Sequence, residues 1–462
     1  MKHGNIKNII LIAMVVVCIY LSSNVWLKLP DLFDSGNREA DKQGITADID
    51  IWDVVRPIKS VIKYKDNYTI TYSDYKDVWG KTVYMIKDAF DNFDSSIVNE
   101  SAPFPAQYLK FDFNTSIPVE IFTGNMKIEN KHINDKIKNV KNIIIDLDNP
   151  KSIYIYNGEN TVRIENDIIN TQEISEIVIQ FDFNGTTQFA FDQVIGEEKI
   201  QVPIPLETAA LSPVLVQSEL DVFDTDTINQ IAKNYFKNNY DYVRKSVEVN
   251  GNTVYMYRTE KMLKINSEGL LDFYDTTADL KNSSDVYESL VAAINFTEEF
   301  LGLPDDGYLN KVESIVYDGS YGYRYTFSYK ILEHPILFSK VRENSALQID
   351  VVGDNVISYK RFIRKMDESQ MDRRSEVQIL PAVDVISMNL NLETEPQSED
   401  EVTEIKPLKK DTLKEINNVY LGYFDLSRIS KEQLLRVVWV VETQDRTWIF
   451  NAISGKLIEE WQ

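Results

Sequence analysis

Cysteine and histidine are nearly missing from this chain of 462 residues, which has one of the first and three of the second. The only thiol, Cys18, lies in an apolar run near the N-terminus. The rest of the chain can therefore form no internal disulfide, and its domains must be large enough to fold without one. His132 and His334 lie far apart, and neither an H-E-x-x-H motif nor a Cys/His cluster accompanies them, so a zinc site has no support. A G-x-S-x-G elbow and a G-x-x-x-x-G-K-[ST] loop are also lacking, which removes the usual footholds for serine hydrolysis and nucleotide binding. Ser73-Asp74-Tyr75-Lys76 fits S-x-x-K, but neither S-D-N nor K-T-G follows it, and such a match arises easily by chance. Carboxylates are too numerous to single out a glycosidase pair, which is defined by a separation in space. The expectation is a protein that is not an enzyme, with no catalytic residue, cofactor or metal.

Positive charge is scarce as well. Lys and Arg number 49 against 72 Asp and Glu, for a net charge of −23. The first 27 residues contribute +2 through Lys2 and Lys7, leaving −25 on the rest. An acidic surface of that size argues against nucleic acid and against direct docking on anionic lipid, since both are polyanions. Solubility is its plain meaning.

What the sequence does have is one long greasy stretch, Ile9 to Leu27, IILIAMVVVCIYLSSNVWL. At about 1.5 Å per residue it would extend roughly 28 Å as a helix, close to the hydrocarbon thickness of a bilayer. Tyr20-Leu21-Ser22-Ser23 is a poor cleavage site for a signal peptide, and Val17 before Cys18 does not fit a lipoprotein. A retained anchor is therefore expected. Lys2 and Lys7 precede it while Asp31 and Asp34 follow, so the positive-inside bias keeps the short N-terminus in the cytoplasm and the bulk outside. Trp26 suits the outer interface. Asn24 lies near the same end, either in the interface or bonded to a neighbouring helix. Ile9, Ala13, Val17, Tyr20, Asn24 and Trp26 are the candidate membrane-anchor and helix-contact residues.

After the anchor, residues 28–47 read as a juxtamembrane linker rich in Asp, Gly, Ser, Asn and Lys. The roughly 430 remaining residues suggest two to four domains. The run Ile49–Tyr64 has apolar clusters broken by Arg56-Pro57, which fits an edge strand or a strand break; a strand is predicted over Tyr68–Tyr72, and then a helix over Val78–Phe93. YLKFDFN at Tyr108–Asn114 and IQFDFN at Ile179–Asn184 both read as alternating strands, either duplicated or alike by composition. Helices are expected over Thr227–Asn239, behind the acidic cap DVFDTD, and over Val286–Leu301. Three hairpin-linked strands close the chain, at Leu434–Glu442, Thr447–Asn451 and Lys456–Trp461. The fold class is α+β, of mainly antiparallel sheets with packed helices. Its expected domains are 48–213, 214–370 and 371–462, the last with an acidic loop at 393–404. That loop lacks an EF-hand pattern and reads as solvated chain.

Several segments together resemble the YycH family, extracytoplasmic regulators of the WalK (YycG) sensor histidine kinase in Gram-positive bacteria. They are Asn24-Val25-Trp26 before Pro30, DVVRPIKSVI at Asp53–Ile62, LKFDFNTSIPVEIF at Leu109–Phe122, LKINSEGLLDFYD at Leu263–Asp275 and SYKRF at Ser358–Phe362. The stretch VVWVVETQDRTWIFNAISGKLIE at Val437–Glu459 resembles the ends of YycI and PepSY-like domains. The resemblance implies action with a YycI-like protein and a WalK-type kinase, through transmembrane helices and ectodomains, in control of cell-wall metabolism. It implies no catalytic residues. Residues 393–404 depart from the family's pattern. The alternative is an envelope adhesin or cell-wall-polymer-binding protein, with Tyr321, Tyr323 and Tyr325 stacking on sugars.

Overall fold

The computed structural model describes residues 50–461 except 73–75, 95–98, 101, 131, 182–188, 191–192, 196–197, 201, 206–210, 278–284, 341–344, 367–376, 391–409 and 427–431. Two units divide the chain, Met1–Thr46 and Ala47–Gln462, and the second is described below. The expected anchor, with Ile9, Ala13, Val17, Tyr20, Asn24 and Trp26, lies outside the described residues, as do the linker, Ser73 and the acidic loop. Among the described residues no helix is long and apolar enough to cross a membrane.

The first part of this unit is a seven-stranded antiparallel sheet, in the order Asn67–Thr71, Lys59–Tyr64, Tyr108–Pro118, Asn139–Asp146, Ser152–Tyr156, Thr161–Glu165, Asn99–Glu100. Pro57 acts as a break. It lies between a 3-10 turn at Ile51–Asp53 and the strand that starts at Lys59. In Tyr108–Pro118 the alternation works as read: Leu109, Phe111 and Phe113 all point into one core. Asn139–Asp146 is apolar without alternation because both of its faces are covered, Ile143 and Ile145 on one side and Ile144 on the other. Helix Lys76–Asp91 lays Val78, Trp79, Val83, Ile86 and Phe90 on this sheet, a spacing of three and four residues.

The second part is a larger, 15-stranded assembly that starts at Arg244–Val247 and Thr253–Tyr257 and runs through to the C-terminal hairpins. Its described pairings are antiparallel apart from His334–Phe338 beside Asn418–Asp425, which is parallel. Val214–Ser218 pairs with both Arg364–Met366 and Glu432–Glu442, so strands on either side of residue 370 share one sheet. Helices Thr225–Phe236 and Val286–Glu298 cover its first half. Asp224 and Asp285 cap them: Asp224 accepts from Thr227 N, and Asp285 from Tyr287 N and Glu288 N. Trp439, Trp448 and Phe450 centre a second core near the C-terminus.

The two parts are joined by specific bonds. Lys59 Nζ donates to Asn418 Oδ1 at 2.6 Å, Leu309 N to Val54 O at 2.8 Å, and Lys330 Nζ to Tyr72 O at 3.0 Å. Within the larger assembly the buried Arg361 guanidinium grips both oxygens of Glu219, at 2.8 and 2.9 Å, and donates to Gly302 O at 2.6 Å. Losing either partner would leave an unpaired charge in the interior.

One expectation fails. Ile179 does not begin a strand but ends a helix, Gln172–Ile179, whose Ile174 and Val178 face the core four residues apart. Residues 182–184 lie outside the described residues, so the likeness of IQFDFN to YLKFDFN is one of letters over its first part. Helices Val119–Met126 and Ala382–Met388 are not expected from the sequence, being only eight and seven residues long, too short for their apolar spacing to stand out.

Candidate functional site

The site residues expected from the sequence all belong to the expected anchor, and the chemistry-bearing groups of the described residues do not converge. His132 is exposed beside Asp135, while His334 is largely buried between Tyr72 and Tyr423. Among the described residues no group of three His, Cys, Asp or Glu could hold a metal ion. Lys76 opens the helix Lys76–Asp91. The DVFDTD cluster is accounted for by its cap: Thr227 donates from its backbone N and its hydroxyl to Asp224, holding that carboxyl below its ordinary pKa.

The tyrosine stripe lies on one face of its strand and grades from exposed to buried along it. Tyr325 is fully buried, donates to Val286 O at 2.6 Å, and has its phenol pushed up in pKa by burial. Tyr323 is half-buried, and Tyr321 alone is well exposed. The three share one face of the strand, as positions two apart do, but helix Val286–Glu298 covers the Tyr325 end of that face, so three exposed rings on one sugar platform are not formed.

The best-formed concavity is a cleft of about 500 Å³ between residues 50–60 and the helix Lys76–Asp91. Trp52, Trp79, Val83, Phe111 and Met126 give it an apolar wall. Asp53 and Tyr84 stand at its exposed rim, Tyr84 at 75 % exposure. The size and the lining suit a small ligand or an inserted side chain. Its cations are engaged: Lys87 Nζ with Asp91 Oδ2 at 2.9 Å and Met126 O at 3.1 Å, Arg56 with Gly307 O at 3.2 Å. Buried Nε1 of Trp79 has no hydrogen-bond partner among the described residues, an expensive state for a donor. The sequence showed DVVRPIKSVI as a matching segment, but not that it walls a cleft, since the opposite wall comes from a helix some twenty positions on.

The fold is that of a mixed α+β protein of mostly antiparallel sheets. Residues 4–186 match the profile of the family described as "YycH protein, N-terminal domain". The crystal structure of YycH from Bacillus subtilis superposes with a TM-score of 0.51 at 14% identity, covering 88% of this chain and 95% of that one. An uncharacterized protein from Eubacterium rectale gives a TM-score of 0.36 at 14% identity, over 56% of this chain and 90% of its own. The C-terminal domain of YpeB from Bacillus megaterium gives 0.28 at 12% identity, over 51% and 96%. No curated protein matches. Residues 4–186 are thus similar to the YycH N-terminal domain, and the fold of the chain is YycH-like.

Proposed function

We propose that this chain is a membrane-anchored extracytoplasmic regulator of a two-component sensor histidine kinase of the WalK (YycG) type, acting on cell-wall metabolism without catalysis of its own. The match of residues 4–186 to the YycH N-terminal domain supports the reading. In this reading Ile9–Leu27 is the single span, and Ile9, Ala13, Val17, Tyr20, Asn24 and Trp26 offer its contacts to the kinase and to a YycI-like partner. The ectodomain comprises modules 48–213, 214–370 and 371–462, the later ones resembling YycI and PepSY-like domains. A regulator of this kind must bind two kinase states unequally, because equal affinity shifts no equilibrium.

The cleft beside Trp79 is the ectodomain surface we assign to a partner, since it joins an apolar wall to the exposed ring of Tyr84 at its rim. Co-purification from solubilised membranes tests this. The full chain should recover a sensor kinase, and Tyr84→Arg at the exposed rim should lower that recovery several-fold without loss of folded protein. Recovery of wall polymer in place of a kinase would support the adhesin reading. Unchanged recovery by the variant would remove the cleft from the interface.

A further inference from the structure

Strand Arg244–Val247 ends the larger sheet. It pairs with Thr253–Tyr257 on one side and with no described strand on the other, and all four of its side chains are exposed. An open edge of this kind presents unpaired N–H and C=O groups to any strand that fits. Which groups are free follows from the ladder. Glu248 N donates to Asn252 O at 2.8 Å, so Glu248 faces inward. By the alternation of an antiparallel pair, Ser246 and Arg244 also turn their backbone groups inward, while Lys245 and Val247 turn theirs outward.

We propose that this edge pairs, antiparallel, with the same edge of a second copy of the chain about a two-fold axis at Ser246. In that register Lys245 lies opposite the partner's Val247 and Val247 opposite the partner's Lys245, so outward-facing backbone groups meet outward-facing ones. Arg244 then lies opposite the partner's Glu248, at the point where the chain enters the turn closed by Gly251 N and Glu248 O, and the two are of opposite charge. Arg244 is exposed and has no ion pair among the described residues, so it gains a partner it lacks. A two-fold axis at Lys245 would set like charges face to face. One at Val247 would forgo the Arg244–Glu248 pair. One between residues would match an outward group with an inward one.

Charged edges often serve to prevent such pairing, but Lys245 does not guard this one. Its Nζ is bonded to Asn229 Oδ1 at 3.0 Å and lies 5.2 Å from the Tyr255 ring centroid, folded back along its own sheet. The inference stands apart from the regulatory reading, since it concerns copies of this chain alone.

Cysteine cross-linking tests it on the full chain in membranes, with Cys18→Ser as background. In a non-hydrogen-bonded antiparallel pair the Cα atoms lie about 4.5 Å apart, within the range a disulfide spans. Ser246→Cys should therefore give a covalent dimer under mild oxidation, several-fold above Lys245→Cys or Val247→Cys alone. Lys245→Cys mixed with Val247→Cys should cross-link as well. Adding Val247→Pro to Ser246→Cys should abolish the dimer, because the proline removes an outward N–H but no internal ladder bond. Cross-linking of Ser246→Cys no stronger than its neighbours, or dominance of Val247→Cys, would overturn the proposal. All these positions are exposed, so the variants fold.

Discussion

His334 shows how much one residue's surroundings decide. Its ring lies 5.8 Å from Tyr72 and 6.2 Å from Tyr423, between the first sheet and the C-terminal strands. Burial, with the Lys330 charge nearby, lowers its pKa from 6.5 to about 4. Between those two values the unfolded chain binds the proton and the folded chain does not, so stability falls as pH drops through that window. The contribution lost by pH 4.5 is about 2 kcal/mol. Equilibrium denaturation at pH 7 and pH 4.5 should show His334→Gln losing less on acidification than the unaltered chain, by about that amount. Equal losses would mean that this histidine is not the buried group described. The sequence announced neither this nor the Arg361–Glu219 pair, because each joins residues distant along the chain. It did announce the Asp224 cap, whose partner lies three residues on.

At the scale of elements, Gly124 marks where two helices meet. A Cβ there would lie 2.5 Å from Tyr287 Cγ and 2.8 Å from Tyr287 Cβ, so helix Val119–Met126 can approach helix Val286–Glu298 this closely only with glycine. Gly124→Ala should destabilise by about 1–3 kcal/mol through overpacking, despite alanine's better helix propensity. A second change, Tyr287→Ala, should restore much of the loss. A denaturation midpoint equal to or above that of the parent would contradict the contact. Elements were legible where a stripe was long: Lys76–Asp91, Thr225–Phe236 and Val286–Glu298 each begin or end within a few residues of expectation. The strand expected to start at Ile179 overlaps helix Gln172–Ile179 by that one residue, since a short apolar run fits either period and only the packing of Ile174 and Val178 decides between them.

At the scale of the whole molecule, the α+β class and the antiparallel emphasis could be read from the alternation of strands. Sheet order could not. The parallel pairing of His334–Phe338 with Asn418–Asp425, and the return of Val214–Ser218 to the C-terminal strands, depend on contacts that no local pattern encodes. The cleft beside Trp79 was hidden for the same reason, while the greasy run Ile9–Leu27 stands out by length alone. The regulatory account rests on that run as more than a tether. Its most direct test is kinase output in cells whose chain carries an unrelated transmembrane helix in place of residues 9–27. The account predicts output like that of cells lacking the chain, although the ectodomain stays at the membrane. Output equal to that of the unaltered chain would contradict it.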